Sequence, residues 1–352
     1  MTKYGLPAIS RCNNMNVVRC YLALCVVVRH FKLLTGDHIT WTTDYYAPNS
    51  IGGFFALSGF LAFRSYYSHG SKPRPYLVNR ARRLMPMYLF IIFLCAFGLS
   101  LTSTLSYADY FTSPLFWKYI VANSLFLNFL QPSLPGVFEG EPFAMSAVNG
   151  AVWTMKVDLL LTLSVPVVHY LYTRFRLNKA YLFATIIALS VLYKSLFTYL
   201  YITTGSSIYM ILGKQFFGQL SYFYVGAAIC FYFDSFMKHK WTILAIVLPL
   251  FIFSKQIPYF NVFLEPVVFA PLVIWVSMVG SWGYKIIKTD NVSYGIYLYH
   301  FPVIQLCILL GIKQFSPWTA FLIVTAVTTI LALTAWNLIG RHFIKSRKKL
   351  TA

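Results

Sequence analysis

A chain of 352 residues that is 58% hydrophobic, 19% aromatic and only 11% charged lacks the polar residues that a soluble domain of this length needs for its surface. A bilayer solvates an apolar exterior and helices satisfy their own backbone groups there, so the composition points to a polytopic membrane protein. The 29 Lys and Arg against 9 Asp and Glu give a net charge of +20. These cations are strung between apolar segments and form no single basic face, which argues for a role in topology and against nucleic acid.

Lys3 and Arg11 precede the first apolar run without a small-residue cleavage site after it, so the run reads as an uncleaved first span. Apolar stretches near 15–34, 50–66, 85–103, 149–171, 181–202, 216–234, 241–254, 264–282, 292–312 and 318–340 predict ten spans. The segment 116–130 is apolar but short and carries Lys118, two Asn and a Ser, which predicts an interfacial or re-entrant element. Ten spans with a cytoplasmic N-terminus place Arg64 to Arg83, Arg174 to Lys179, Lys238 and Lys240, Lys285 and Lys288, and the tail cations on the inside. Asp37, Asp44, Asp109, Glu139 and Glu141 then lie outside. The expectation is an all-α transmembrane helix bundle of about ten spans over residues 1–340 with both termini cytoplasmic, followed by a basic cytoplasmic tail at 341–352. The longest outer segment, 104–148, is rich in aromatics, Pro and Gly and reads either as a sugar-binding surface or as an interfacial aromatic belt. Six cysteines show no C-x-x-C spacing, and no pattern argues for a metal.

Within the first span, "VVRCYLALCVVVRHF" (17–31) carries Arg19 and His30. Eleven residues rotate a helix by about 1,100°, roughly 20° past three turns, and advance it roughly 16 Å, so the two share one face. They read as two fixed points for a long ligand, or as anchors at opposite interfaces, with Arg29 snorkelling beside His30. In the second span Gly52, Gly53, Ala56, Ser58 and Gly59 make a seam of small residues suited to close helix packing. "VNRARRLMPMY" (78–88) then sets Arg80, Arg82 and Arg83 at the cytoplasmic mouth of the third span, where they serve as positive-inside anchors or as guanidinium forks for phosphates.

Together these segments resemble the acyltransferase type 3 family of integral-membrane acyltransferases. Arg19 and His30 match its Arg, ten residues, His pattern; "FFALSGF" matches its second span; "RRLMP" matches an Arg-rich loop ending in an R-x-x-P-like turn. "GAVWTMKVDLLL" is similar to W-S-L-x-x-E, and "SYGIYLYHFPV" to S-Y-x-x-Y-L-x-H, in the same order along nearly the whole chain. The short form without an appended domain most resembles O-antigen acetyltransferases of Gram-negative bacteria and their serotype-converting phages. One departure is plain: Asp158 stands where the family usually has Glu, with Lys156 two residues before it as a structural or catalytic partner.

The resemblance implies transfer of an acetyl group from cytoplasmic acetyl-CoA to a sugar hydroxyl of a lipid-linked glycan, in the bacterial inner membrane. On that reading His30 is the general base, Asp158 orients it or stabilises its imidazolium, and Arg19, Arg80, Arg82 and Arg83 hold the donor's phosphates. Ser58, Gly59, Trp153 and His300 are expected to line the site, Ser58 either packing or donating to the oxyanion. No further metal or cofactor is expected, and the partners are the glycan, acetyl-CoA and membrane lipid. Asp234 is expected at the cytoplasmic interface and Glu265 at the outer one, while Lys194 has no evident place. The rival from another class is a transporter or flippase of lipid-linked sugars; a glycosyltransferase or polymerase on the same lipid is a third. The lack of an internal repeat weakens the transporter reading.

Overall fold

The computed structural model describes residues 9–10, 12–37, 39, 50–254, 256–287 and 292–343. Lys3, Arg11, Asp44, Lys288 and the part of the basic tail beyond Phe343 lie outside the described residues. Among the described residues every regular element is helical. Eleven helices reach eleven residues or more: α1 Met15–Thr35, α2 Ser50–Ser68, α3 Pro73–Gly98, α4 Pro114–Ser124, α5 Trp153–Arg174, α6 Lys179–Thr204, α7 Phe216–Phe231, α8 Lys240–Ile252, α9 Glu265–Met278, α10 Val292–Leu309 and α11 Pro317–Ala335.

Each predicted span falls on one of these helices, and 116–130 falls mainly on α4. Eleven residues rise only about 16 Å, half of a hydrocarbon core of about 30 Å, so α4 is too short to cross. Five helical stretches are both long and apolar enough to cross: Pro73–Thr102, Trp153–Arg174, Lys179–Thr204, Val292–Leu309 and Pro317–Phe343. The protein is thus an all-helical, multi-pass membrane protein. Helices α1 and α2 have the length, with 21 and 19 residues, but cations in the first and small polar residues in the second dilute their apolarity. One boundary differs from expectation. The Arg-rich segment before the third span is helix: Pro73 and Pro75 fall in its first turn, where proline is tolerated, and Arg80 to Leu84 are good helix formers. Pro86 sits inside that helix and ends no turn.

The described residues gather into two compact units, one from Met1–Val18, Ile51–Leu77 and Val157–Lys288, the other from Arg19–Ser50, Val78–Lys156 and Thr289–Ala352.

In the first unit α2 and α7 meet backbone to backbone. A Cβ added at Gly59 would lie 1.9 Å from the Phe223 carbonyl oxygen, and one at Gly226 would lie 2.1 Å from that of Ala56. The small-residue seam is therefore a packing device, as expected of such seams. Ser190 ties α6 to α7 by donating to the Phe217 carbonyl at 2.7 Å and accepting from the Ser221 N–H at 2.9 Å. Buried Asn14 fastens the chain ahead of α1 to the end of α9. Its amide donates to the Val276 and Val279 carbonyls, each at 3.0 Å, and its side-chain oxygen accepts from the Gly283 N–H at 2.8 Å. Lys194 also finds its place here: it donates to the Asn261 carbonyl and lies 5.6 Å from the Tyr222 ring centre. The Tyr222 hydroxyl donates to the buried Glu265 carboxylate at 2.8 Å.

In the second unit α10 is the central element, with fifteen of its eighteen residues buried. Its tyrosines reach the backbone of α3, Tyr294 donating to the Leu84 carbonyl at 3.0 Å and Tyr299 to that of Met87 at 3.3 Å. A strap between α4 and α5 is fastened along α10. The Gln305 amide donates to the Met145 and Ala147 carbonyls at 2.8 and 3.2 Å, and Asn149 donates to the Leu298 carbonyl at 2.8 Å.

Candidate active site

The second unit brings His30 of α1 and His300 of α10 together, with His30 Nδ1 2.7 Å from His300 Nε2 and the rings stacked at 5.0 Å. His300 is fully buried, whereas His30 is half-buried. The backbone assigns the protons. His300 Nδ1 lies 2.8 Å from the Tyr297 carbonyl oxygen and 3.2 Å from that of Ile296. A carbonyl only accepts, so Nδ1 carries the hydrogen and Nε2 of the neutral ring is the acceptor. His30 Nδ1 must then donate to it, which leaves the lone pair of the neutral His30 on Nε2. A chain of three groups, carbonyl to His300 to His30, thus fixes the tautomer that a base needs. When His30 gains a proton at Nε2, its Nδ1–H bond to His300 becomes charge-assisted, much as a carboxylate supports the histidine of a serine hydrolase.

Three further residues, Phe301, Tyr297 and Thr154, hold this pair, and none of them is expected from the sequence to line the site. Phe301 packs edge-on against His30 with centroids 5.2 Å apart. The Tyr297 hydroxyl bonds to Thr154 at 2.6 Å and donates to the Ala151 carbonyl at 2.9 Å, tying the turn of α10 that carries His300 to the start of α5. Trp153, half-buried, begins α5. The signal available in the sequence was the aromatic run from Tyr297 to Phe301, which reads equally well as an apolar span.

In the first unit Ser58 donates to Asp158 Oδ1 at 2.9 Å. While that bond is kept, Ser58 has no proton to offer a developing oxyanion. Gly59, next to it, serves the α2–α7 approach described above. In the second unit Lys156 places its ammonium 4.8 Å from the Phe129 ring centre.

Arg19 is half-buried on α1 and Arg29 exposed. On α3 the positions divide by helical phase: Arg80 and Arg83, three apart, share a side and are half-buried, whereas Arg82 is exposed. Arg19, Arg80 and Arg83 are thus partly desolvated cations in the second unit, a donor set that suits a polyanionic ligand. Among the described residues no group of three His, Cys, Asp or Glu is arranged to hold a metal ion.

A base-forming histidine pair and a set of half-buried arginines, carried by a multi-pass helical scaffold, are features expected of a membrane-embedded group-transfer enzyme. The family described as acyltransferase domain, acyltransferase type 3, matches residues 13–337. The chain belongs to that family and is an acyltransferase. It is 23% identical over 374 residues to Nodulation protein 10 of Rhizobium leguminosarum bv. viciae, covering 97% of this chain and 95% of the relative. It is 24% identical over 361 residues to an O-acetyl transferase of Shigella phage Sf6, covering 96% and 98%. No solved structure gives a significant match.

Proposed function

We propose that this acyltransferase moves an acetyl group from cytoplasmic acetyl-CoA across the bacterial inner membrane to a sugar hydroxyl of lipid-linked O-antigen or another surface polysaccharide. The observation that carries the reading is the His30–His300 pair, in which the Nε2 lone pair of His30 is left for a substrate proton. His30 takes the proton of the sugar hydroxyl as that oxygen attacks the thioester carbonyl. The C–S bond then breaks, the acetyl group stays on the sugar oxygen, and His30 returns its proton to the departing sulfur. His300 positions His30 and supports its imidazolium. Arg19, Arg80 and Arg83 hold the donor phosphates at the cytoplasmic side, with Arg82 a weaker contributor. Asp158 keeps the catalytic role that its motif implies, and it accepts a hydrogen bond from Ser58 at 2.9 Å. In this reading the ten predicted spans cross the membrane with both termini in the cytoplasm, the short helices α8 and α9 doing so with the help of the residues that flank them. The phage relative supports acetyl as the group transferred, since that protein is an O-acetyl transferase.

The test is mass spectrometry of surface polysaccharide from cells that lack O-acetylation, expressing the native chain or His30→Ala at matched membrane levels and fed isotope-labelled acetate. The native chain is expected to add labelled acetyl to the repeat unit and the variant to add none. Acetylation retained by His30→Ala removes His30 from the chemistry.

A further inference from the structure

The strap between α4 and α5 meets α10 at the turn that carries His300, and one residue at this crossing has no room for a side chain. A Cβ added at Gly150 would lie 2.7 Å from both Cε2 and Cζ of Phe301. The backbone on either side is fixed: Asn149 donates to the Leu298 carbonyl at 2.8 Å, and the Ala151 carbonyl accepts from the Tyr297 hydroxyl at 2.9 Å. Gly150 therefore cannot retreat from the ring without breaking bonds to the same turn. Phe301 is 1% exposed, so the ring has no solvent to swing into. It also abuts the His30 imidazole at 5.2 Å, edge-on at 72°.

We infer that Gly150 is a positioning residue that sets the placement of the His30 imidazole through the Phe301 ring. The bare backbone lets the ring sit close to the strap; a methyl group there forces the ring to move by about 0.7 Å to reach ordinary contact. A close-packed interior passes such a displacement to its neighbours. The neighbour here is the group proposed as the base, and misplacement of a reacting group by about 1 Å costs on the order of 10²-fold in rate. The inference rests on the reading of His30 as the base. It also accounts for the absence of a side chain at a position whose φ lies in the ordinary range and demands no glycine.

The test uses the full chain in detergent or native membranes, comparing wild type, Gly150→Ala, Phe301→Leu and the double variant. Acetyl transfer and the rate of diethylpyrocarbonate modification at His30 are both read, the latter by peptide mass spectrometry. Gly150→Ala is expected to lower kcat about 10-fold to 100-fold with little change in the KM for acetyl-CoA. Shrinking the ring makes room, so the double variant is expected to regain at least about fivefold of that loss. The modification rate at His30 should shift at least about threefold in Gly150→Ala and return toward wild type in the double variant. If Gly150→Ala does not accumulate, Phe301→Leu alone decides, since trimming the ring beside His30 should raise its modification rate by a similar factor. Unchanged His30 reactivity in the variants, or a double variant no better than Gly150→Ala, overturns the inference. A wild-type chain without acetyl transfer, but with His30 reactivity that follows the ring, keeps the positioning and rejects the acetyl-transfer reading.

Discussion

At the residue scale the histidine pair makes a prediction about which atom matters. His300 serves His30 as a hydrogen-bond acceptor, so its substitution by Ala leaves His30 free to rotate and without support for its imidazolium. A charge-assisted bond of about 1.5–3 kcal/mol corresponds to roughly a 10-fold to 150-fold loss in kcat. His300→Gln offers a side-chain oxygen that can accept from Nδ1–H, and is expected to retain several times the activity of His300→Ala in a labelled acetyl-CoA transfer assay. Equal activity of the two variants would mean that His300 only fills space. The eleven-residue spacing of Arg19 and His30 was legible because both lie on one helix, whose period is fixed by the backbone. The partner of His30 was not legible as a partner, because it lies 270 residues away and hydrogen bonding between helices depends on packing that no local pattern records. Asp158 is the counterpart: its motif pointed to a site carboxylate, and the fold gives it the Ser58 hydroxyl.

At the element scale the arginine cluster shows how a change from loop to helix alters which cations can act together. In a loop three guanidinium groups could converge on one phosphate; on α3 residues 80 and 83 share a side and residue 82 points away from them. The apolar run from residue 85 gave the sequence reading its boundary, since hydropathy locates where a helix meets lipid, not where its hydrogen-bonded turns begin. The helix starts at Pro73, a signal of helix initiation that the run of cations hid. Arg80→Ala and Arg83→Ala are accordingly expected to raise the KM for acetyl-CoA about 10-fold or more, each removing a partly desolvated charge-assisted contact. Arg82→Ala, on the exposed side, should raise it less than about threefold and do so only at low ionic strength. Steady-state kinetics at two salt concentrations separates these outcomes, and equal effects at all three positions would return the cluster to a generic anchoring role.

At the scale of the whole molecule the ten apolar segments were legible because a helix in lipid or buried among other helices is apolar over most of its length, and each corresponds to a helix. Length separates them, since α8 and α9, with 13 and 14 residues, rise only about 20 Å and do not span a hydrocarbon core unaided. Helix α5 does have the length and apolarity to cross. Its two ends carry opposite assignments under the proposed topology, the segment ahead of it being outside and the turn after it inside. The acids of the first and the cations of the second support that assignment. Single cysteines at two exposed positions, Tyr107→Cys and Leu177→Cys, test it directly. A membrane-impermeant maleimide should label the first in intact cells and the second only after permeabilisation, each measured against the wild-type signal from exposed Cys12. The same result bears on the chemistry. Under the proposed function the donor is a cytoplasmic polyanion and the acceptor a glycan on the outer side, and a transferase joining them needs arginines and base on helices that reach both faces. Labelling of both positions from one side would put the ends of α5 on the same face and require a chemistry confined to it.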